Sequence, residues 1–316
     1  MRTALLKEIT TLAETNQDLM LVVGDLGFGV VEEFAIRYPE RFLNAGVAEQ
    51  NMASVAAGLA HSGMRPIIYS IANFPTLRCL EQIRNDIVYH SLPVIIVSVG
   101  AGLSYGSLGY SHFAIEDMAI MGSLPNLSLF SPSDPAECRA SLRTAFASNA
   151  PSYIRIGRTG EPALHDPAVQ LSVQRPLVVH EGSDVSVVAT GPITHEAVEA
   201  ARVLADGGLS VRVISVPQIE PFDGDSLLGL VEEFDFIVTV EEHSVSGGLG
   251  TRVAVVLAEA GHVAAFRRIG LPQQAMSDVG SQAYLRSLHG LDVPGLTHAI
   301  RTFLNRNVYG RNPTDG

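Results

Sequence analysis

Cysteine is scarce in this chain: only Cys79 and Cys138 occur among 316 residues. Two lone cysteines make no disulfide framework and point to a reducing compartment. Positive charge is also in short supply. Lys and Arg number 21 against 33 Asp and Glu, for a formal charge of −12. There is no basic run and no basic helix, so neither nucleic acid nor an anionic membrane is the expected partner. Anionic substrates would need individually placed arginines or lysines. No apolar run is long enough to span a bilayer, and residues 1–20 lack the apolar centre of a signal peptide. A cytoplasmic protein is the expectation. Short repeats and low-complexity segments are missing too, which sets aside solenoids and linker-like chains.

What is present is a hydrophobic fraction of 47%, enough for two cores at this length. Apolar, β-branched runs alternate with helical patterns. Strands are expected at 19–25, 41–47, 66–71, 93–99, 127–131 and 153–156. Helical stretches lie between them at 49–61, 77–90, 115–122 and 135–148. Runs of this kind read as strands buried on both faces, as in a parallel sheet covered by helices. A turn-rich connection from Gly157 to Pro167 interrupts the pattern. Strand periodicity resumes at 185–190, 211–216, 236–241 and 264–269, with helical patterns at 194–206, 249–260 and 294–305. The expected fold class is α/β, with two doubly wound domains, each a mostly parallel sheet covered by helices. The expected division is 1–170 and 171–316, with the boundary near 160–178. The polar tail Tyr309–Gly316 is expected to fray.

The segment Asn44-Ala-Gly-Val-Ala-Glu-Gln-Asn-Met52 is the most informative. A strand ends at Gly46 and an Ala-rich helix opens, with Glu49 in its first turn. A carboxylate at the C-terminal edge of a parallel strand sits where α/β proteins bind ligands. A desolvated carboxylate can share a proton with a ring nitrogen. On this motif alone the simpler reading of Glu49 is a plain role at the positive end of the helix dipole.

Five further stretches stand beside it in order. They are Gly24-Asp-Leu26; Asn73-Phe74 with Glu81-Gln-Ile-Arg-Asn85; Ser111-His-Phe-Ala-Ile-Glu-Asp117; Leu124-Pro-Asn126 with Ser131-Pro-Ser-Asp-Pro135; and Glu241-Glu-His243 with Gly247-Gly-Leu-Gly250. Together they resemble the C-terminal half of the transketolase-type thiamine-diphosphate (ThDP) enzymes, from about Arg2 to Leu304. The resemblance implies a pyrimidine-binding domain followed by the family's last domain. Glu49 matches the glutamate that hydrogen-bonds the pyrimidine N1′. Asp would be one methylene short, and Gln could not hold the shared proton. Phe74 matches the ring that stacks on the pyrimidine. A second family phenylalanine falls on Ile71, and Asp25 and Gln50 fall in the same cofactor region. His112 matches a histidine near the reacting carbon, able to exchange a proton with a substrate hydroxyl. Arg158 matches a substrate-phosphate arginine and Arg2 a second one. Arginine suits phosphate through its bidentate fork.

The chain departs from the family at three polar positions. A donor-phosphate serine falls on Gly29, a histidine of the same subsite on Gly100, and a hydroxyl-binding aspartate on Leu108. Burying a sugar hydroxyl against Leu108 would leave it unpaired. Ordinary pentose phosphates are therefore doubtful substrates, and a deoxy, branched or otherwise modified sugar is favoured. Nothing in the chain resembles the family's Gly-Asp-Gly and Asn that hold Mg²⁺ and the diphosphate. The resemblance places those on an N-terminal-type subunit, so a two-component enzyme is expected, assembled as α2β2. Its reaction would move a two-carbon ketol unit from a ketose to an aldehyde. Rival readings are the β subunit of a 2-oxo-acid dehydrogenase, a deoxyxylulose-phosphate-synthase-like enzyme, and a silent assembly subunit. The Gly247–Gly250 loop reads either as an anion cradle or, more simply, as a tight turn at a domain interface.

Overall fold

In a computed structural model of the chain, residues 1–158, 160–166 and 168–309 are described, apart from the side chains of 308 and 309. The tail expected to fray lies outside them from Gly310 onward, as do Thr159 and Pro167 of the connection. Twelve strands are described: β1 (Leu19–Val23), β2 (Phe42–Asn44), β3 (Arg65–Ile71), β4 (Ile95–Val99), β5 (Ser128–Phe130) and β6 (Ser152–Ile156), then β7 (Leu177–His180), β8 (Val185–Thr190), β9 (Val211–Ser215), β10 (Gln218–Glu220), β11 (Phe236–Ser244) and β12 (Ala265–Leu271). They form a seven-stranded sheet in the order β10-β5-β6-β4-β3-β1-β2 and a five-stranded sheet in the order β12-β11-β8-β9-β7. Pairing is parallel except for β10 with β5 and β7 with β9.

Each central strand of the first sheet sends alternate residues to opposite cores. Leu19, Leu21 and Val23 of β1 enter one cluster while Val22 enters another, and Ile67 and Tyr69 of β3 oppose Ile68 in the same way. Helices Arg2–Thr15 and Pro135–Ser148 cover one face, supplying Leu5, Ile9, Leu142 and Phe146. Helix Glu49–His61 covers the other with Met52, Ala53 and Ala56. This period-two alternation under two helical layers is why the strands read as continuous apolar runs. The second sheet is built alike, with Val185, Val187 and Ala189 opposing Val188.

Several elements differ from the sequence expectation. Residues 77–90 do not form one regular helix. A 3₁₀ turn (Leu77–Cys79) leads through Leu80–Gln82 into a π-helical stretch, Ile83–Val88. The expected helix 115–122 is only Asp117–Met121, and the second strand shortens to β2. β7 and β10 were not expected, because each is short and lies on a sheet edge. β10 belongs to the second half of the chain in sequence yet completes the first sheet, through Gln218 and Glu220 against Phe130 and Leu129. One hydrophobic cluster runs through both sheets, joining Met118 and Leu129 to Val188, Ile214 and Leu249. Among the described residues no helix is long and apolar enough to cross a membrane.

Candidate active site

The order β2-β1-β3 means that the chain leaves β1 to one side and returns past it to the other. Such a switch opens a crevice at the C-terminal ends of the strands, where α/β proteins bind ligands. The sequence-predicted residues collect at these ends. Asp25 follows β1, Glu49 follows β2, and Ile71 and Phe74 end and follow β3. His112 lies in the loop after β4, and Arg158 follows β6. Arg2 opens the first helix, Arg2–Thr15.

Asn44 ties two of these loops together. Its Oδ1 accepts the backbone N–H groups of Asp25 at 3.0 Å and Gly46 at 2.9 Å, and its Nδ2 donates to Asp25 Oδ1 at 3.0 Å. Asp25 itself is exposed, in a left-handed conformation at φ 54°. The bracing fixes the approach to helix Glu49–His61. Glu49 is 1% exposed. Its Oε2 accepts Nη1 of Arg78 at 2.7 Å, while its Oε1 is buried with no partner. A buried carboxylate oxygen without a donor is costly unless a ligand supplies one. Gln50, the next residue, is exposed.

Arg78 links this carboxylate to Phe74. The Arg78 guanidinium stands 4.2 Å from the Phe74 ring centroid, and the His112 ring meets that ring edge-on at 5.1 Å. Asn73 Nδ2 donates to the carbonyl of Phe113, joining the loop after β3 to the His112 loop. Burial, then the nearby Arg78 charge, holds His112 below its ordinary value, so the ring is neutral at pH 7. Its Nδ1 is 3.0 Å from Ser111 Oγ. An open cleft of about 470 Å³ runs alongside, lined by Phe74, Leu77, Arg78, Tyr110, Ser111 and Glu116.

Tyr105 joins the two arginines to this centre. The Arg158 guanidinium is 5.1 Å from its ring, and the ring is 6.4 Å from that of His112. Burial raises the Tyr105 hydroxyl's pKa, and the charges of Arg158 and Arg2 oppose the rise. Arg2 carries a buried Nε without a partner. The same tyrosine explains one departure from the family pattern. Gly100 has φ +101°, and a Cβ there would stand 2.3 Å from the Tyr105 ring. Tyr105 therefore fills the space a side chain at 100 would take. Gly29 is open, with nothing within 4 Å of an added Cβ, and Leu108 is exposed.

The glycine loop 247–250 is a turn at the domain interface, the simpler of its two readings. Glu241 accepts the N–H groups of Leu249 at 2.8 Å and Gly250 at 2.9 Å, so the protein's own carboxylate caps that helix. Burial pushes Glu241 up to about 7 and the neighbouring His243 down to about 4. His243 is thus neutral, and its 3.7 Å approach to Glu241 is not an ion pair. Beneath them Arg155 pairs with Asp117 at 2.9 Å and donates to the carbonyls of Ala114 and Glu242.

Sequence reasoning missed Arg78, Tyr105 and the bracing role of Asn44. Arg78 had no usable signal: Phe74 lies in the turn before the 3₁₀ turn Leu77–Cys79, and only the folded loop brings the two side chains together. Among the described residues no group of three His, Cys, Asp or Glu is placed to hold a metal ion.

The fold defines an α/β protein whose strand order switches direction at the strand ends that carry buried Glu49, Phe74 and His112. Residues 1–160 match the model of the transketolase pyrimidine-binding domain, and residues 175–296 that of the transketolase C-terminal domain. The chain is 32% identical over 280 residues to an apulose-4-phosphate transketolase subunit of Actinobacillus succinogenes, covering 88% of this chain and 90% of that protein. It is also 32% identical over 279 residues to the 6-deoxy-6-sulfo-D-fructose transketolase subunit SqwH of a Clostridium species, covering 88% and 86%. A solved structure of a split gene transketolase, an inactive beta4 tetramer, superposes with a TM-score of 0.85 at 37% identity, over 96% of this chain and 97% of that one. The chain belongs to the transketolase family.

Proposed function

We propose that this chain is the pyrimidine-binding subunit of a two-component, ThDP-dependent transketolase-like enzyme. The observation that carries this is Glu49 Oε1, buried without a partner, on a carboxylate that Arg78 links to the Phe74 ring. That pair fits an aminopyrimidine, whose N1′ would meet the carboxylate and whose face would meet the phenyl ring. The bound cofactor would supply the carbanion chemistry that carries a two-carbon ketol unit. Glu49 would hold the proton shared with N1′. Phe74, with Ile71, Asp25 and Gln50 around it, would fix the ring. Neutral His112 would accept or return a substrate hydroxyl proton. Arg158 and Arg2 would hold an anionic group, with Tyr105 between them. The diphosphate and Mg²⁺ would be held by the partner subunit, in an α2β2 assembly within the cytoplasm, and the division near residue 170 would separate the two domains of this subunit. The two relatives that are themselves transketolase subunits support the split reading.

The substrate is a non-standard sugar in this reading. Gly29 and Leu108 remove polar partners, and Tyr105 closes the space at Gly100. The relatives named for apulose 4-phosphate and 6-deoxy-6-sulfofructose point the same way. The test is reconstitution with the diphosphate-binding chain, followed by competition between pentose phosphates and modified ketoses or aldehydes. The isolated chain should be inactive and bind ThDP weakly. Best turnover of xylulose 5-phosphate with ribose 5-phosphate would overturn the substrate class. Carbon dioxide release from pyruvate would favour the synthase-like rival instead.

A further inference from the structure

Arg78 engages both groups proposed to hold the pyrimidine. Its guanidinium lies 4.2 Å from the Phe74 centroid, and its Nη1 donates to Glu49 Oε2 at 2.7 Å. A planar, conjugated cation that covers an aromatic ring and donates to a carboxylate offers what an aminopyrimidine would offer. A guanidinium 4.2 Å from the Phe74 centroid takes a face of that ring from a stacking pyrimidine, although it bonds Oε2 of Glu49 and leaves Oε1 open. The Arg78 side chain is 45% exposed, while Glu49 is buried. The arginine therefore has a route out to the cleft it lines, and Glu49 does not. Arg78 also sits where the backbone passes from a 3₁₀ turn towards a π-helical stretch. Irregular helical turns of that kind recur at functional sites.

Resting on the reading of this crevice as a ThDP site, we propose that Arg78 is a placeholder for the cofactor's pyrimidine. In the unassembled chain it covers Phe74 and pairs with Glu49, so no buried carboxylate is left without a cation. Cofactor entry is then an exchange in which Arg78 leaves the Phe74 ring, while Oε1 of Glu49 stays open to N1′. The free energy of its contacts is subtracted from cofactor affinity.

The experiment compares wild type with Arg78→Met and Arg78→Gln. Thermal unfolding of the isolated chain should fall in Arg78→Met and recover when Glu49→Gln is added, because the uncompensated carboxylate is then gone. Calorimetric titration of ThDP into the complex with the diphosphate-binding chain should show about 5- to 10-fold tighter binding for Arg78→Met. Arg78→Gln keeps one donor but no charge and should fall between the two. It carries the test if the methionine variant fails to fold. Unchanged or weaker binding in the variants, with wild type binding normally, overturns the exchange and makes Arg78 a ligand of the cofactor. No ThDP binding by the wild-type complex overturns the thiamine reading itself, and the placeholder with it.

Discussion

Glu242, on β11 of the second sheet, accepts the backbone N–H of Leu103, in the loop after β4 of the first sheet, at 2.6 Å. The same carboxylate accepts Gln282 Nε2 at 2.8 Å and Arg286 Nε at 2.7 Å. Gln282 also reaches Ser104 Oγ at 3.3 Å. Gly102 has φ +61°, and a Cβ there would stand 2.6 Å from Glu242. The loop bearing Tyr105 and His112 is thus held by a buried carboxylate of the other half of the chain. This gives the C-terminal half a place in the proposed active site without a side chain in the chemistry.

Glu242→Ala should destabilise the chain by about 3–5 kcal/mol, since it strips a buried ion pair of one partner and frees Arg286. Glu242→Gln, which keeps an acceptor for Leu103, should cost about 1–3 kcal/mol. In the assembled enzyme Glu242→Gln should raise the substrate KM more than it changes ThDP affinity. Urea unfolding and steady-state kinetics decide this. Equal changes in KM and ThDP affinity would show that the loop carries no substrate contacts.

Glu49→Gln should fold and assemble but lose about 10²–10⁴-fold in rate, the usual cost of losing an acid–base group. The amide is nearly isosteric and can still accept from Arg78. Near-normal turnover by the purified complex would remove Glu49 from the proposed chemistry.

Phe74→Ala should weaken ThDP binding to the complex by about 1–3 kcal/mol through lost burial and stacking. The His112 ring, 5.1 Å away, loses its neighbour in this variant, so kcat should fall as well. An unchanged titration with the complex intact would count against the stacking role.

Arg158→Met should raise KM for an anionic substrate by about 5- to 150-fold, the equivalent of one lost charged contact. ThDP affinity should hold, since Arg158 lies toward Tyr105 and not toward Phe74. A variant with normal KM would make Arg158 a solvated charge of the connection.

Asp134 clamps the connection between the two sheets through Leu164 and His165. Asp134 accepts the N–H groups of Ala136, Glu137, Leu164 and His165, and faces His165 Nδ1 at 3.2 Å. The Glu137 carboxylate lies 3.9 Å from His165 Nε2. The Asp134 hydrogen bond raises the pKa of His165. A raised histidine contributes stability fully below its unfolded value, near 6.5, and loses it as pH rises through the folded value. Burial is the largest single influence on Asp134 and acts to raise its pKa, but the hydrogen bonds from His165 and the backbone together outweigh it and leave the pKa lowered. Its contribution is present above about 3.9 and is lost as pH falls through the folded value. Melting temperature should therefore decline from pH 6 toward pH 8 in wild type, and this decline should shrink in His165→Gln. An identical slope in both proteins would remove the clamp from the pH response.

Much of the architecture was legible in the chain. Strand runs such as Pro93–Val99 were readable because both faces of the sheet are buried, so every residue had to be apolar or small. The helix Pro135–Ser148 was readable for a local reason: Asp134 caps it and Pro135 starts it. The edge strands β7 and β10 were not readable. With 4 and 3 residues they are too short to show a period, even though β7 reads Leu-Val-Val-His, and their pairing comes from distant partners. The break of 77–90 into 3₁₀ and π turns also escaped, because helical periodicity does not distinguish those hydrogen-bond registers.

The sequence alone determined which chemistry-bearing residues the chain carries. Glu49 follows a strand, Phe74 and His112 sit in ordered motifs, and family membership rests on those local patterns. Only the tertiary structure decided how they meet. The strand order placed the ends of β1, β2 and β3 around one crevice. Packing left Glu49 Oε1 buried and open while Arg78 took Oε2. The Tyr105 ring closed the space at Gly100, and a carboxylate 139 residues away fixed the Leu103 loop. Sequence patterns report contacts over a few residues, whereas these relationships are set by the parallel crossovers and by burial, which join residues far apart in the chain.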